Sequence, residues 1–439
     1  MKKALALFVF LLQSFAFAGG VDTKANQSTG YLRNPSRNTE CTYPEAVLYN
    51  IAGTAFMADG IYINLGNQVV LKKCTNEYKG RAYTDEKPLY FFPNFEGVYK
   101  SGKIAFFGSF AVYGGGGMME YTDGSALTMN VLSKGVVVAQ KEEAKYANKA
   151  QNSTDSAKIE KYTASSQKYA SIAKALSSSV SDHELSVYSA TFGEQIGLAF
   201  NFNKYISAAA CFRLLQGGQN VWLSSDNSLF SSLNGGNDVG YYSSGWGYSF
   251  VVGLHSKPLD NLDLSLQYQS KTEMTYEYTR VFGELSSVLG YEKGSKFKND
   301  MSGVWSIGAG YLLFDSLYLT SSFNLYLDSK SSHSVGGESF KYNDSYDLSF
   351  GAEYQITPSI ALSTGFLYNR TGSTSEANNI VNPVLDSFSI GAGGEVKVYK
   401  TVWIEAGYMY SHFIEKDFNS VTLKKKSSLF SLGFTVKPF

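Results

Sequence analysis

The sequence is poor in charge, in proline and in long apolar runs. Charged residues make up 17% of its 439 residues, against roughly 25% in soluble domains. The formal net charge is zero, which gives no indication of a nucleic-acid partner or of a strongly acidic one. After the N-terminus, no stretch reaches the roughly 18 uninterrupted apolar residues that a membrane-spanning helix needs.

Residue patterns that carry catalysis or bind metal are missing as well. The chain has four histidines, at His183, His255, His333 and His412. None of them stands in a His-x-x-x-His pattern, and there is no Cys-x-x-Cys pair. The Gly114–Gly117 run leads to Met118-Met119-Glu120 rather than to Lys-Ser/Thr, so it is not a phosphate-binding loop. The sequence predicts no enzyme activity, no metal site and no cofactor.

The N-terminus has the three parts of a secretory signal. Lys2 and Lys3 form the positive start, Ala4 to Leu12 form the apolar core, and Ala16-Phe17-Ala18 fits a cleavage site before Gly19. An N-terminal membrane anchor is the alternative, but its apolar run is too short to span a bilayer. We predict that residues 1–18 are a cleaved signal peptide. An exported chain without helical spans is a soluble protein or a closed barrel.

Aromatic residues and glycine are abundant, with 32 Tyr, 30 Phe and 42 Gly. From about Ile61 onward, apolar and polar residues alternate with period two, as in Leu262 to Gln269 and Tyr346 to Ile356. Period two places one set of side chains on each face of a β-sheet. The alternating segments reach the roughly 9 to 11 residues of a tilted membrane strand, whereas strands of soluble proteins average about 5 to 6.

About fourteen such strands follow one another, an even number that suits an outer-membrane barrel with both chain ends on the periplasmic side. They begin near Gly60, Leu89, Lys103, Glu184, Tyr205, Tyr242, Asn261, Lys298, Ser316, Asp344, Ser359, Val384, Lys400 and Lys426. Short turns, such as Ser101-Gly102 and Asp315, alternate with longer polar loops, such as Gln216–Gly240, Arg280–Phe297 and Thr371–Pro383.

This alternation of short and long connections favours an all-β transmembrane barrel over a soluble sandwich or propeller. We predict an outer-membrane barrel of about fourteen antiparallel strands over residues 60–439. The final strand ends on Phe439 and resembles the signal by which outer-membrane barrels are assembled. The barrel assembly machinery and outer-membrane lipid are therefore expected partners, and we expect a monomer.

Residues 44–60, PEAVLYNIAGTAFMADG, lie between a polar arm and the first predicted strand. We predict that residues 19–59 form a plug, or hatch, that fills the barrel from the periplasmic side. Cys41 and Cys74 flank it. Export would permit a disulfide that tethers the plug, and two unpaired thiols are the alternative. Because the third cysteine, Cys211, makes the count odd, at least one thiol stays unpaired.

One region departs from the strand pattern. Lys141–Leu176 is rich in Ala, Lys, Glu, Gln and Ser, contains neither Pro nor Gly, and repeats apolar residues at helical spacing. We predict a helical extracellular loop, residues 141–176, inserted after the third strand. Such a loop either covers the barrel mouth and catches ligand, or is a solvated decoration.

The third predicted strand is aromatic and ends in four glycines, Gly114 to Gly117. Glycine within a strand marks a bulge, a kink or a break in pairing. A break here would open a gap between neighbouring strands. The alternative is that the glycines simply begin the long outer loop.

Pro44 to Gly53 and Leu89 to Tyr113 resemble the long-chain fatty acid and aromatic hydrocarbon transporters of Gram-negative outer membranes, the FadL/TodX-like family. The family has Asn-Pro-Ala where this chain has Asn50-Ile51-Ala52, so rigidity of its hatch does not depend on a fixed proline φ. The resemblance implies a hatch and a lateral gap at strand 3. The hatch residues are Tyr49, Asn50, Ile51, Ala52 and Gly53. The gap residues are Phe107, Gly108, Phe110, Tyr113, Gly114 and Gly115.

The resemblance also implies passive uptake of a hydrophobic small molecule, with long-chain fatty acids as the favoured class and aromatic hydrocarbons as the other. Ligand would be captured at the outer loops and released sideways past the hatch. A general porin and a structural or adhesive surface protein are the alternatives. Basic residues near the first outer loop could meet a carboxylate head group, although solvated surface charge is the favoured interpretation. They are Lys72, Lys73, Arg81 and Lys87.

Overall fold

Fourteen long antiparallel strands form one closed barrel, as predicted. The computed structural model describes residues 25–178, 183–335, 338–375, 377–378 and 380–438, so the predicted signal peptide and the terminal Phe439 lie outside the described residues. The strands are β1 Gly60–Tyr78, β2 Leu89–Ser101, β3 Ile104–Tyr121, β4 His183–Asn203, β5 Ile206–Ser225, β6 Asp238–Leu259, β7 Leu262–Gln269, β8 Val304–Leu313, β9 Leu317–Tyr326, β10 Ser345–Thr357, β11 Ile360–Arg370, β12 Ser387–Tyr399, β13 Val402–Phe413 and β14 Val421–Val436.

The barrel closes because its first strand pairs with its last. The ladder between β1 and β14 runs without a register shift from Ile63 opposite Val436 to Tyr78 opposite Val421. Closure pairs the edges that the first and last strands would otherwise expose. As the alternation in the sequence predicts, apolar side chains of a strand face outward and polar side chains face the inside of the barrel. On β6, Tyr248 and Phe250 point outward and are exposed, whereas Ser249 between them is buried inside.

Tight turns lie at one end of the barrel and long loops at the other. The turn between β8 and β9 is typical, since Phe314 and Asp315 have φ of 55° and 57°. Two left-handed residues in succession give a hairpin turn whose twist matches that of the flanking strands. Both ends of the barrel sequence, Gly60 and Val436, lie at this same end.

The segment before the first strand lies inside the barrel. It contains helix α1 Thr29–Arg33, helix α2 Ala46–Tyr49 and a 3-10 turn Ile51–Phe56. Ser28 caps α1 by accepting a hydrogen bond from the Tyr31 amide. Residues 25–59 are called the N-terminal segment below. Most of its residues are buried, including polar ones such as Arg33 and Asn34.

The loop after β3 forms a helical hairpin, of helices α3 Ala126–Gln151 and α4 Ser156–Ser178. It begins earlier than the predicted 141–176 and is interrupted near Asn152. Ser125 starts α3 with a capping box shared with Thr128. No helix in the described part of the chain is both long and apolar enough to cross a membrane.

The bounds of two predicted loops differ from those observed. Residues 216–225 continue β5, because Gly217 and Gly218 pair with β6 instead of forming a turn. The loop after β7 contains a short strand, Thr275–Phe282, paired with β6, as well as a short helix, Leu285–Val288, and the strand Lys296–Lys298. The other short elements are α5 Ser228–Asn234, α6 Leu285–Val288, a 3-10 turn Asp328–Lys330, and strands Arg81–Asp85, His333–Val335, Glu338–Phe340 and Lys416–Phe418.

Candidate functional site

The N-terminal segment is held against the barrel wall by buried ion pairs. The Arg33 side chain is fully buried, with Nη2 2.9 Å from Glu395 and 3.3 Å from Glu405. Arg37 reaches Glu353 at 3.4 Å. Both arginines come from the segment, and all three glutamates point inward from β10, β12 and β13. Because removing one partner would leave a buried charge uncompensated, these contacts fix where the segment sits.

Arg37 also organises the segment internally. It pairs with Glu45 and with Glu40, and Ser28 donates a hydrogen bond to Glu45. Burial alone would raise the pKa of the Glu40 carboxyl, but Arg37 and hydrogen bonds from Thr42 and Tyr43 lower it below its usual range. Glu40 is therefore ionised, and its charge is balanced within the segment.

Asn50 is the polar centre of the predicted hatch residues. Its Nδ2 donates to the Glu40 carbonyl at 2.9 Å and lies 2.8 Å from His255 Nδ1, while its Oδ1 accepts from the Gly53 amide at 3.3 Å. Since the amide donates to Nδ1, this network assigns the His255 proton to Nε2, which lies 2.9 Å from Asp263 Oδ1. Asn50 thereby joins the segment to β6 and β7.

The residues around Asn50 complete the contact with the wall. The Ile51 amide donates to Gln267 Oε1 at 3.1 Å, a bond that the family's proline could not make. The Ala52 carbonyl accepts from Ser207 at 2.7 Å. A side chain at Gly53 would collide with the Glu40 carbonyl. Tyr49 stacks on Tyr31, with 5.5 Å between the ring centroids.

Cys41 and Cys74 are not joined by a disulfide, so the proposed tether is wrong. Cys41 lies 3.9 Å from Asp263 Oδ1, near the turn end of β7. Cys74 lies fourteen residues beyond Gly60, roughly 45 Å along β1 from the turn end. The barrel's own height therefore separates the two thiols.

Cys41, His255 and Asp263 bring their ligand atoms within 4.8 Å of one another. Three features of the cluster favour hydrogen bonding over metal binding. Burial raises the pKa of the Cys41 thiol to about 12, His255 Nε2 carries the proton that it donates to Asp263, and the Lys257 ammonium lies 2.8 Å from the same carboxylate. Lys257 thus supplies the positive charge that a cation would bring.

The ladder between β2 and β3 stops halfway up the barrel. It runs from Ser101 opposite Ile104 to Phe95 opposite Phe110. Above Phe110, β3 pairs with β4 alone, and residues 89–94 of β2 pair with β1. The unpaired edges of β2 and β3 border an interval in the wall, which is called the window below.

Two irregularities in β3 accompany the window. Its register against β4 shifts between Val112 and Gly114 and again between Gly114 and Gly117. Gly115 and Gly117 have φ of 93° and 69°, conformations that side chains other than glycine adopt at a cost. The predicted residues Gly114 and Gly115 thus lie within these bulges, which bend the upper half of β3.

The other predicted gap residues line the lower margin or the inside of the wall. Phe107 and its neighbour Gly108 belong to the paired part of β3, and the Phe107 ring is buried against the N-terminal segment. The ring of Phe110 stacks on Phe192 of β4 at 5.8 Å. Tyr113 points into the lumen, where the Arg213 guanidinium lies 4.2 Å from its ring centroid.

Lys72 borders the window on its loop side. Its ammonium donates to the carbonyls of Gly116 at 3.1 Å and Met118 at 2.6 Å, and lies 3.5 Å from Asp85. It therefore reaches from β1 to β3 beyond the start of β2. The other basic residues singled out near this loop have surface partners: Lys73 pairs with Glu86, Lys87 with Glu120, and Arg81 donates to the Asp123 carbonyl.

A cavity of about 200 Å³ lies directly behind the window. Leu89, Phe92, Gly115 and Gly116 line it on the window side. Two ammonium groups reach it, those of Lys72 and of Lys425, which donates to Asn382 at 3.1 Å. Its apolar lining comes from Tyr31, Val70, Leu89, Phe92, Leu367, Leu385, Met409, Phe413 and Leu429. The rest of the lining is polar and includes Asp347, Asn369 and several serines, so apolar side chains form only part of the wall beside the two ammonium groups.

Apolar side chains fill the barrel mouth above the N-terminal segment. The loops contribute Leu127 and Leu132 from α3 and Leu285 from α6. Four tyrosines and a phenylalanine make the aromatic part of this cluster: Tyr241, Tyr276, Tyr278, Tyr291 and Phe297. These side chains are almost fully buried, so the apolar cluster packs the long loops onto the mouth of the barrel.

Several of these residues could not be identified from the sequence. Arg33 lies in a polar arm, and its partners follow more than 300 residues later. Lys425 lies in a run of three lysines that looks like solvated charge. Glu395 does stand on the polar face of an alternating strand. This position indicated that its side chain points into the barrel.

Comparison with known proteins supports the same architecture. The family model described as outer membrane protein transport protein (OMPP1/FadL/TodX) matches residues 239–437. A Pseudomonas aeruginosa FadL homologue is 14% identical, with a TM-score of 0.66 over 94% of this chain and 99% of that one. The P. putida toluene transporter TodX is 14% identical, with a TM-score of 0.63 over 97% and 99%.

A third structure, the Ralstonia pickettii toluene transporter TbuX, has a TM-score of 0.57 at 14% identity, over 92% of this chain and 98% of that one. No curated protein matches the chain in sequence. The family match over residues 239–437 agrees with the resemblance predicted from the sequence, and the solved structures share the fold over nearly all of the chain.

Proposed function

We propose that this chain is a passive transporter in the outer membrane of a Gram-negative bacterium and that it takes up long-chain fatty acids. The observation that carries the proposal is the cavity behind the window, with the apolar part of its wall and the ammonium groups of Lys72 and Lys425. The transfer of an apolar chain out of water is favourable by about 0.8 kcal/mol per buried methylene. The carboxylate would meet the two lysines.

The proposed route starts at the apolar mouth and ends in the membrane. Ligand binds among the aromatic loop residues, moves to the cavity and leaves sideways through the window between β2 and β3. Residues 19–59 act as a hatch that blocks the straight route into the periplasm, and residues 60–439 form the barrel. After capture, the ligand passes from one apolar environment to the next, so the route needs no coupled energy source.

The occupied lumen favours this function over that of a general porin, whose pore must hold water. The buried ion pairs of Arg33 and Arg37 hold the N-terminal segment where a porin would be open. We propose no catalytic step. Assembly would use the barrel assembly machinery, and the closed barrel would act as a monomer.

Aromatic hydrocarbons are the competing substrate class, because two of the similar structures are named toluene transporters. Toluene has no carboxylate, so the two classes differ in what they require of Lys72 and Lys425. An uncharged ligand would use the apolar part of the wall alone.

Uptake of labelled oleate and toluene tests the proposal in cells that lack the gene and carry wild type, Lys72→Met or Lys425→Met. We expect either substitution to reduce oleate uptake. Lys425→Met should leave toluene uptake unchanged, whereas Lys72→Met also removes the contact with β3 beside the window and should lower toluene uptake less than oleate uptake. Lys73→Met is the matched control, since the neighbouring Lys73 pairs with Glu86 outside the cavity. Equal oleate uptake with and without the gene would remove the transport proposal, and uptake of toluene alone would reassign the substrate.

A further inference from the structure

A second cleft opens on the outer wall of the barrel, on the loop side and away from the window. It has a volume of about 460 Å³ and lies where β5, β6 and the short strand Thr275–Phe282 meet. Its floor is the loop from Asn234 to Asp238. Three aromatic rings and one guanidinium line it, those of Trp222, Tyr242, Phe282 and Arg280.

A β-bulge turns Arg280 toward this cleft. The strand Thr275–Phe282 pairs with β6, and its register shifts between Ser243 opposite Tyr278 and Tyr242 opposite Arg280. Tyr278 points into the lumen and is buried. Strict alternation would send Arg280 inward as well, but the extra residue at Thr279 reverses the parity. Arg280 and Tyr242 therefore face outward together.

The Arg280 guanidinium makes cation–π contacts with two aromatic rings, which leave its N–H donors available. It lies 5.8 Å from the Tyr242 ring centroid and 5.9 Å from that of Phe282. Within the described ranges of the chain it makes no hydrogen bond and no ion pair to another residue. An arginine presents several N–H donors in a planar fork that matches phosphate, so the cleft presents a pre-oriented anion-binding group.

The cleft lies above the apolar band of the barrel. Sixteen residues of β5 separate Ile206, near the turn end, from Trp222, which is about 40 Å of height for a strand tilted by roughly 40°. The apolar band of such barrels is about 25 Å tall. Outward-facing Tyr248 and Phe250 lie lower on β6 and are more exposed than Tyr242. In the orientation proposed above, Trp222 and Arg280 thus lie at the level of the outer-leaflet head groups.

We propose that this cleft binds the phosphorylated glucosamine head group of lipopolysaccharide in the outer leaflet. Arg280 pairs with the phosphate, the rings of Trp222 and Tyr242 cover the apolar face of the sugar, and the exposed Asp238 carboxylate accepts from a sugar hydroxyl. Aromatic side chains with one polar edge suit this boundary between acyl chains and water. The proposal rests on the proposed outer-membrane location and is independent of transport.

The test titrates the purified full-length barrel with bisphosphorylated lipid A that carries inner-core sugars, and measures the bound lipid by native mass spectrometry. We expect Arg280→Ala to weaken binding about tenfold, the loss expected for one charge-assisted pair. Arg370→Ala, which removes an exposed arginine at the loop end of β11, should bind as wild type does. Heat-dependent gel mobility confirms that each variant is folded.

A second titration identifies the group that Arg280 contacts. Lipid A without one phosphate should bind wild type about tenfold more weakly and should bind Arg280→Ala with no additional loss. Equal affinity of Arg280→Ala and wild type would overturn the proposal, as would an equal loss in Arg370→Ala. Full competition by free glucosamine phosphate would overturn the assignment to a membrane lipid. Because no substrate is transported in this assay, failed oleate uptake would leave its result unaffected.

Discussion

Arg33 shows how one residue can fix the position of a whole segment. Its guanidinium is fully buried and bridges Glu395 and Glu405, which lie on neighbouring strands. A buried ion pair contributes little net stability compared with an apolar replacement of both partners, but loss of one partner is costly. The pair therefore acts mainly to specify where the N-terminal segment lies in the lumen.

Ile51 carries the first prediction, since it stands where the family has proline. Its amide donates to the buried Gln267 side chain at 3.1 Å, and Ile51→Pro removes that donor. The first position of the 3-10 turn accepts a proline φ, so the fold should persist while docking of the segment weakens by about 1 kcal/mol. Proteolysis of residues 25–59 in the folded barrel should become faster by a factor of about five.

Gln267→Leu provides the control for this prediction. In that background the Ile51 amide has already lost its acceptor, so Ile51→Pro should accelerate proteolysis less than it does in the wild-type background and should affect only the packing of the buried side chain. If Ile51→Pro accelerates proteolysis equally in both backgrounds, the hydrogen bond to Gln267 is not what holds the segment at this point.

At the scale of elements, β3 combines a stable lower half with an irregular upper half. Its lower half pairs with both neighbours up to Phe110. Its upper half loses β2, and glycines with positive φ take up the two register shifts against β4. A barrel can leave this interval unpaired because Lys72 and Asp85 bind the backbone of β3 above it.

The helical hairpin carries the second prediction, because its two halves differ in burial. Leu127 and Leu132, at the start of α3, belong to the apolar cluster of the mouth. Beyond Lys141 most residues of both helices are exposed or partly exposed. Replacing residues 141–170 with a short turn should therefore leave oleate uptake unchanged.

Leu127→Asn is the comparison for the shortened hairpin. It places an amide among apolar side chains that offer it no partner, at a cost of about 1 to 3 kcal/mol, and should lower oleate uptake. Uptake that falls in the shortened hairpin and persists in Leu127→Asn would assign ligand capture to the distal half of the hairpin instead.

At the scale of the whole molecule, the strands of the barrel could be predicted from the sequence, whereas the contacts of the N-terminal segment inside it could not. All fourteen predicted strand starts lie within about six residues of those observed, because period two persists along each strand; the largest difference is Val304 rather than Lys298. Contacts such as Asn50 to His255 join residues 205 positions apart. The bulge at Thr279 leaves no trace in the alternation of so short a strand.

Gly116→Val tests whether ligand leaves sideways through the window, as proposed above. Gly116 lines the cavity behind the window, and an added side chain would displace the flexible end of Asn382 and narrow the opening. Gly97→Val is the matched control in the paired wall below, where an added Cβ has no neighbour closer than 3.8 Å. The measurement is labelled oleate uptake by cells with equal amounts of folded barrel. We predict that Gly116→Val loses most of the uptake and that Gly97→Val keeps it, whereas wild-type uptake by Gly116→Val would contradict lateral release.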